Sequence, residues 1–213
     1  MVRFVTFEGG DGTGKTTQIK ALERHLIARG RSCLITREPG GTALGSLIRR
    51  ALLEVGDQPV APSTELFLYL ADRAQHVNEI IRPAIAAGKI VLCDRFTDST
   101  LAYQGYGRGF DLQLLRQFNN VANDGVCPDL TFLLDCPVEA GLRRTAKRQA
   151  HSRAGEPKED RFEREKLEFH EKVRAGFLEM ARLEPARFRI IDATRSAVEV
   201  STEIKGIIDQ ALN

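Results

Sequence analysis

The chain has 213 residues, 42% of them apolar and 28% charged, with a formal net charge of +2 at neutral pH. That length suits one ordinary domain over residues 1–213, large enough to hide roughly 70% of its unfolded surface. A charge so nearly balanced speaks against a dedicated nucleic-acid binder, which needs a strong basic stripe, but leaves room for a small anion held by a few arginines. No run approaches the roughly 20 apolar residues of a membrane span, and the N-terminus opens on a strand rather than on a basic, then apolar leader. The expectation is a cytoplasmic protein without membrane or nucleic-acid partners. Cys33, Cys93, Cys127 and Cys136 are widely spaced with no CxxC pair, and read as small side chains in a reducing compartment.

Val2 to Phe7 is a short apolar run that stops at Glu8-Gly9-Gly10, a buried strand meeting a glycine turn. Thr16 to Arg29 carries Ile19, Leu22, Leu26 and Ile27 at helical spacing, and Gly30 suits its end. Ser32 to Thr36 is a second strand, and Ala43 to Val55 an amphipathic helix. Ser63-Thr64-Glu65 offers capping chemistry for a helix continuing to about Ala87, with a kink or restart at Pro83. Lys89 to Asp94 and Leu130 to Asp135 are the third and fourth strands. Between them lie a Tyr/Gly-rich segment and a helix near Asp111 to Ala122. Pro137 begins a helix to about Lys147, Phe188 to Asp192 is a fifth strand, and Ser196 to Leu212 closes the chain as a helix. Short apolar strands alternating with helices imply an α/β fold, a three-layer sandwich whose five-stranded parallel sheet carries helices on both faces. Ligands of such a sheet gather at the carboxyl ends of the strands.

One stretch breaks the pattern. Residues 148–161 (RQAHSRAGEPKEDR) are strongly polar and contain Gly155 and Pro157. A charge run is usually a solvated loop; here the alternative is a mobile lid carrying Arg148, Arg153 and Arg161 onto a phosphate-filled site.

The strongest signal is Gly9-Gly10-Asp11-Gly12-Thr13-Gly14-Lys15-Thr16-Thr17, a Gly-x4-Gly-Lys-Thr phosphate-binding loop lying between a strand and a helix. Glycines let backbone N–H groups converge on phosphate oxygens, and the following helix adds its dipole. Lys15 is expected to neutralise the β- and γ-phosphates and the Thr16 hydroxyl to ligate Mg²⁺. Asp94-Arg95 ends the third strand. Asp94 is expected beside Mg²⁺ or its waters, and Arg95 between donor and acceptor phosphates, where charge builds during in-line transfer. Asp135 also ends a strand and ranks second as the acid near the metal. Tyr69 and Arg73, four apart on a helix, project from one face.

Taken together, several segments resemble the thymidylate kinase family: FEGGDGTGKTTQ, TREPGGT, LADRAQH, DRFTDSTLAYQGYGRG, CPDLTFLLD, DRFE and IIDAT, spread over nearly the whole chain. The resemblance implies the P-loop NTPase fold and the reaction ATP + dTMP → dTDP + ADP with Mg²⁺, a step toward dTTP, by direct transfer without a phosphoenzyme. It also implies roles residue by residue. Tyr69 stacks on thymine and Arg73 hydrogen-bonds the base, with Gln104 and Ser99 lining base and sugar. Tyr103 packs near the deoxyribose, and Asp11 contacts the sugar hydroxyl. Arg95 holds the acceptor phosphate with Glu38 lining that site, and Thr194 and Arg195 fall where adenine is held. Some members place an arginine in the loop after the acidic residue; this chain has Gly12, which makes Arg148 in the lid the candidate transition-state cation. Phe96 fills a position that is often Tyr or His. A homodimer is expected from the resemblance and from the apolar faces of the second and third helices.

Three other readings stand beside this one. A related nucleoside or nucleoside-monophosphate kinase would share the fold. A GTPase-like switch would need an Asn-Lys-x-Asp motif, which the sequence lacks, and a DNA-binding ATPase sits poorly with the near-neutral charge.

Overall fold

The computed structural model describes residues 2–53, 60–150, 162 and 165–212. Among them, β1 (Phe4–Glu8), β2 (Cys33–Arg37), β3 (Ile90–Asp94), β4 (Leu130–Asp135) and β5 (Phe188–Asp192) form one parallel sheet in the order β2-β3-β1-β4-β5. The central strands β1, β3 and β4 are short and almost continuously buried because helices cover both faces, whereas the edge strands β2 and β5 are only partly buried. On one face α1 (Lys15–Ala28) and α9 (Ala197–Leu212) press Ile19, Leu22, Leu26, Val200, Ile204 and Ile208 onto Val5, Phe7, Phe132 and Leu134.

The opposite face splits into two clusters. Phe4, Val91, Cys93 and Phe96 meet Val77, Ile81 and Ala84 from the stretch after α3 (Pro62–His76), while Leu133 and Phe188 meet Phe177 and Met180 of α8 (Leu167–Leu183). Strand alternation therefore places Phe4, Thr6 and Glu8 on this second side, away from α1. The remaining helices are α2 (Ala43–Leu53), α4 (Arg82–Ala86), α5 (Thr97–Thr100), α6 (Leu112–Asn123) and α7 (Val138–Ala150).

The long helical stretch restarts at Pro83 as expected. α3 passes into a π-helical turn, Val77–Ile81, and α4 follows. Proline has no N–H to return to residue 79 and its ring crowds that carbonyl, so a widened turn ahead of it relieves both problems. One expectation is corrected. Ser63-Thr64-Glu65 does not cap α3: the helix opens at Pro62 after Ala61, with no side-chain cap, and Glu65 is buried against Gln104 and Arg108. The Tyr/Gly-rich segment, given no conformation from the sequence, is helical: α5 runs into a π-helical stretch, Leu101–Gly107, that buries Leu101, Ala102, Tyr103 and Gln104. Cys33, Cys93, Cys127 and Cys136 are all free thiols; Cys93 and Cys136 are buried and Cys127 is exposed.

β1 lies mid-sheet between β3 and β4, so residues 9–14 leave the sheet at the topological switch point. Asp94 and Arg95 leave β3 immediately beside it.

Candidate active site

The glycine loop is shaped by its neighbours. Gly9 and Gly12 have φ of +127° and +73°, and a Cβ at either would collide with a backbone carbonyl, that of Leu134 or Gly141. The contact between Gly12 and Gly141 seats the loop on the first turns of α7. It also explains why this chain has no arginine after Asp11: a side chain there would have to displace α7. Gly14, left-handed at φ +93°, precedes α1 without a side-chain cap, so the first-turn N–H groups face an anion site.

Lys15 lies across the loop, its Nζ donating to the carbonyls of Gly9 at 3.0 Å and Gly10 at 2.8 Å. Burial, assisted by nearby Arg95, pushes its ammonium down to about 8, against the pull of Asp94, Asp11 and Glu8. A phosphate entering the loop supplies the negative charge that restores full protonation.

Thr16 and Asp94, the two expected metal-side residues, are brought together, with Thr16 Oγ1 donating to Asp94 Oδ2 at 3.0 Å. A hydroxyl and a carboxylate are hard oxygen donors that fit Mg²⁺, an ion that takes few protein ligands and completes its shell with phosphate and water. Among the described residues no group of three or more His, Cys, Asp or Glu could hold a metal. Asp135, ranked second, is occupied elsewhere: Arg174 grips both its oxygens at 2.7 and 2.9 Å.

Arg95 adopts φ +69°, unusual for a residue with a side chain. Its guanidinium donates to Asp11 Oδ1 at 2.6 Å, to the Gly9 carbonyl at 3.0 Å and to Ser99 Oγ at 3.2 Å, and rests 5.0 Å from the centre of the Tyr103 ring. The turn is braced by Glu8, which accepts from Phe96 N at 2.7 Å and from Ser99 Oγ at 2.6 Å. Glu8 is completely buried, and burial reinforced by Asp98 pushes its carboxyl up to about 8, despite Arg95, Ser99 and the Phe96 N–H. Sequence reasoning used Glu8 only as the end of a strand. The available signal was its phase: two residues beyond Thr6 and four beyond Phe4, it had to point into the same covered face.

These groups open on one cavity of about 660 Å³. At one end stand Asp11, Gly12, Gly14, Lys15, Thr16 and Thr17; at the other Tyr69, Tyr103, Gln104 and Phe162. Lys15, Arg37, Arg49, Arg50, Arg73, Arg95 and Arg148 outnumber Asp11, Glu38 and Asp94 on its lining, a balance suited to a polyanion. Arg49 and Arg50 escaped the sequence reading because nothing distinguishes them from an ordinary solvated face of α2.

Arg73 is buried, donating to Glu38 Oε2 (2.9 Å), Thr100 Oγ1 (2.9 Å), Asn119 Oδ1 (2.6 Å) and the Phe96 carbonyl (3.1 Å), with its guanidinium 5.2 Å from the Phe96 ring centre. Phe96 is fully buried and edge-on to Phe4. Glu38 also pairs with His76 Nδ1 at 2.9 Å.

Two expected elements lie apart. Thr194 and Arg195 are exposed on the turn after β5, tied to Asp192, with Arg195 also paired to Glu203, and they do not line the large cavity. Gln18 in α1 donates to the Ala197 carbonyl at 3.0 Å, bringing that turn beside the start of α1. Of the expected lid, Arg148 in the last turn of α7 lines the cavity, while Arg153 and Arg161 lie outside the described residues.

Comparison with known proteins agrees with this geometry. The family model described as "Thymidylate kinase" matches residues 7–204. A thymidylate kinase of Desulfovibrio desulfuricans is 53% identical over 209 residues, covering 98% of this chain and 96% of that protein. One of Geotalea uraniireducens is 51% identical over 205 residues, covering 96% and 95%. The crystal structure of thymidylate kinase from Ehrlichia chaffeensis superimposes with a TM-score of 0.75 at 35% identity, covering 97% of this chain and 98% of that one. The sheet order, the phosphate loop and near full-length likeness agree: this chain is a phosphotransferase with the P-loop NTPase fold and belongs to the thymidylate kinase family.

Proposed function

We propose that this chain phosphorylates dTMP to dTDP with ATP and Mg²⁺ by in-line transfer, in the cavity between the phosphate loop and the Tyr69–Gln104 end. One observation carries the assignment of ends: a single cavity joins Lys15 and Thr16, through Arg95, to an aromatic wall with a buried amide. Phosphoryl transfer asks the protein for position and charge rather than covalent chemistry, and this cavity offers both.

The backbone of residues 9–14 and Lys15 cradle the β- and γ-phosphates of ATP. Arg95, anchored to the loop through Gly9 and Asp11, holds the acceptor phosphate in line with them, with Glu38 and Arg73 behind it. Tyr69 stacks on the base, Arg73 and Gln104 read its edge, Ser99 and Tyr103 flank the sugar, and Asp11 meets the sugar hydroxyl. Thr194 and Arg195 take the adenine side. Mg²⁺, held by Thr16 and Asp94, supplies neutralisation of phosphate charge when bound. Arg148, which the Gly12–Gly141 contact ties to the loop through α7, provides the cation that a loop arginine supplies in some relatives.

Leu44 and Leu47 on α2 and Phe67 on α3 remain exposed, which supports a second copy covering this face. Sedimentation equilibrium checks the dimer. Among the described residues no helix is long and apolar enough to cross a membrane, in keeping with a cytoplasmic enzyme. ADP release with a panel of acceptors tests the reaction. Turnover of dTMP ahead of UMP and AMP is expected; faster transfer to UMP or AMP would sink the thymidylate reading.

A further inference from the structure

Glu65 takes no part in the roles assigned above, yet it is completely buried behind the acceptor end of the cavity. Its Oε1 accepts from Gln104 Nε2 at 2.8 Å, and its Oε2 pairs with Arg108 at 3.3 Å. Arg108 is itself fixed from outside. It pairs with Glu165 at 2.7 Å, and its guanidinium lies 4.7 Å from the Phe169 ring centre and 5.6 Å from that of Phe162. Phe162 in turn lines the cavity.

A carboxylate paired with arginine accepts hydrogen bonds and cannot donate them. The amide nitrogen of Gln104 must therefore face Glu65, leaving the amide oxygen as the group that Gln104 can offer to a ligand. An amide free to rotate would present either end, and could satisfy a base edge that donates or one that accepts. Here the choice is made by a buried neighbour, before any ligand arrives.

We infer that Glu65, held by Arg108, is a specificity-determining positioning residue that locks Gln104 with its carbonyl toward the acceptor base and so selects pyrimidines carrying an N3–H donor. Thymine and uracil present N–H at that position. Cytosine presents a bare ring nitrogen there, and two acceptors facing each other at a buried amide are strongly disfavoured. The inference rests on the dTMP kinase reading, because it assigns Gln104 to the base edge.

The test is Glu65→Gln, assayed for kcat/KM on dTMP, dUMP and dCMP. A glutamine at 65 can accept or donate, so Gln104 is free to turn over. The dTMP/dCMP preference should drop by about 10- to 100-fold, the weight of one buried hydrogen bond. The dTMP/dUMP preference should stay unchanged, since both bases carry N3–H. A ratio of rates within one preparation does not depend on the fraction folded, so partial misfolding leaves the readout intact. If Glu65→Gln fails to fold at all, the double variant Glu65→Gln/Arg108→Gln removes the ion pair as a unit, and the same ratio is read. Uniform loss on all three acceptors, with the dTMP/dCMP ratio unmoved, overturns the inference and leaves the kinase reading standing. No dTMP turnover by the unaltered chain refutes the kinase reading, and the inference falls with it.

Discussion

Replacing Glu8 by Gln should remove a pH dependence of stability that the unaltered protein carries. Glu8 is buried at the end of β1, and its carboxyl is raised from 4.5 to about 8 by burial and by Asp98. Between those values the folded protein binds a proton that the unfolded chain has released. Stability is therefore full below pH 4.5 and declines as pH rises toward 8, by about 1.4 kcal/mol per unit while the difference is one proton. From pH 5.5 to 7 the decline amounts to about 2 kcal/mol, or roughly 1 M in urea midpoint for an m-value near 2 kcal/mol/M. Glutamine copies the protonated acid: its oxygen can accept from Phe96 N and its NH₂ can donate to Ser99 Oγ, the two partners Glu8 has now. Urea unfolding of both proteins at several pH values reads the effect. Asp72, whose burial raises its carboxyl to about 6, titrates in both proteins and cancels in the difference. The variant should match the parent near pH 5 and exceed it increasingly toward pH 8. Parallel curves would refute the reasoning, since they would mean that Glu8 is charged and well compensated throughout.

The other predictions concern the loop, the buried arginine and α7. Gly12→Ala forces a side chain into a left-handed turn and against the Gly141 carbonyl. It should cost about 1–3 kcal/mol in urea unfolding and weaken ATP binding in a nucleotide titration; an unchanged protein would mean that the loop does not rest on α7. Arg73→Ala removes the arginine paired with buried Glu38 and leaves it the contact with His76 Nδ1, and should destabilise the fold by about 3–5 kcal/mol as well as impairing acceptor binding. A loss confined to dTMP affinity would show that the network is not structural. Arg148→Ala should lower kcat by a factor on the order of 10³ with little change in substrate affinity, as expected for a cation that acts in the transition state. An unchanged kcat removes Arg148 from the mechanism.

The sequence by itself determined the alternation of short apolar strands and amphipathic helices, and with it a parallel sheet covered on both faces. It also placed Gly9 to Thr17 at a strand–helix junction and Asp94-Arg95 at a neighbouring strand end. These features are local, written in periodicity, glycine spacing and strand length, so they need no knowledge of what lies across the molecule. Long-range juxtaposition escaped it. Glu65 looked like a cap and proved to be buried behind Gln104, because its partners Gln104 and Arg108 lie about forty residues away. Glu8 looked like a strand end and proved to brace Arg95, which depends on β3 lying next to β1. Asp135 ends a strand as Asp94 does and ranked second to it on local grounds; its pairing with Arg174, delivered by α8, was not legible in the sequence. A side chain's chemistry is a property of its residue, but burial and pairing are properties of the neighbours that folding supplies, and those decided what each of these carboxylates does.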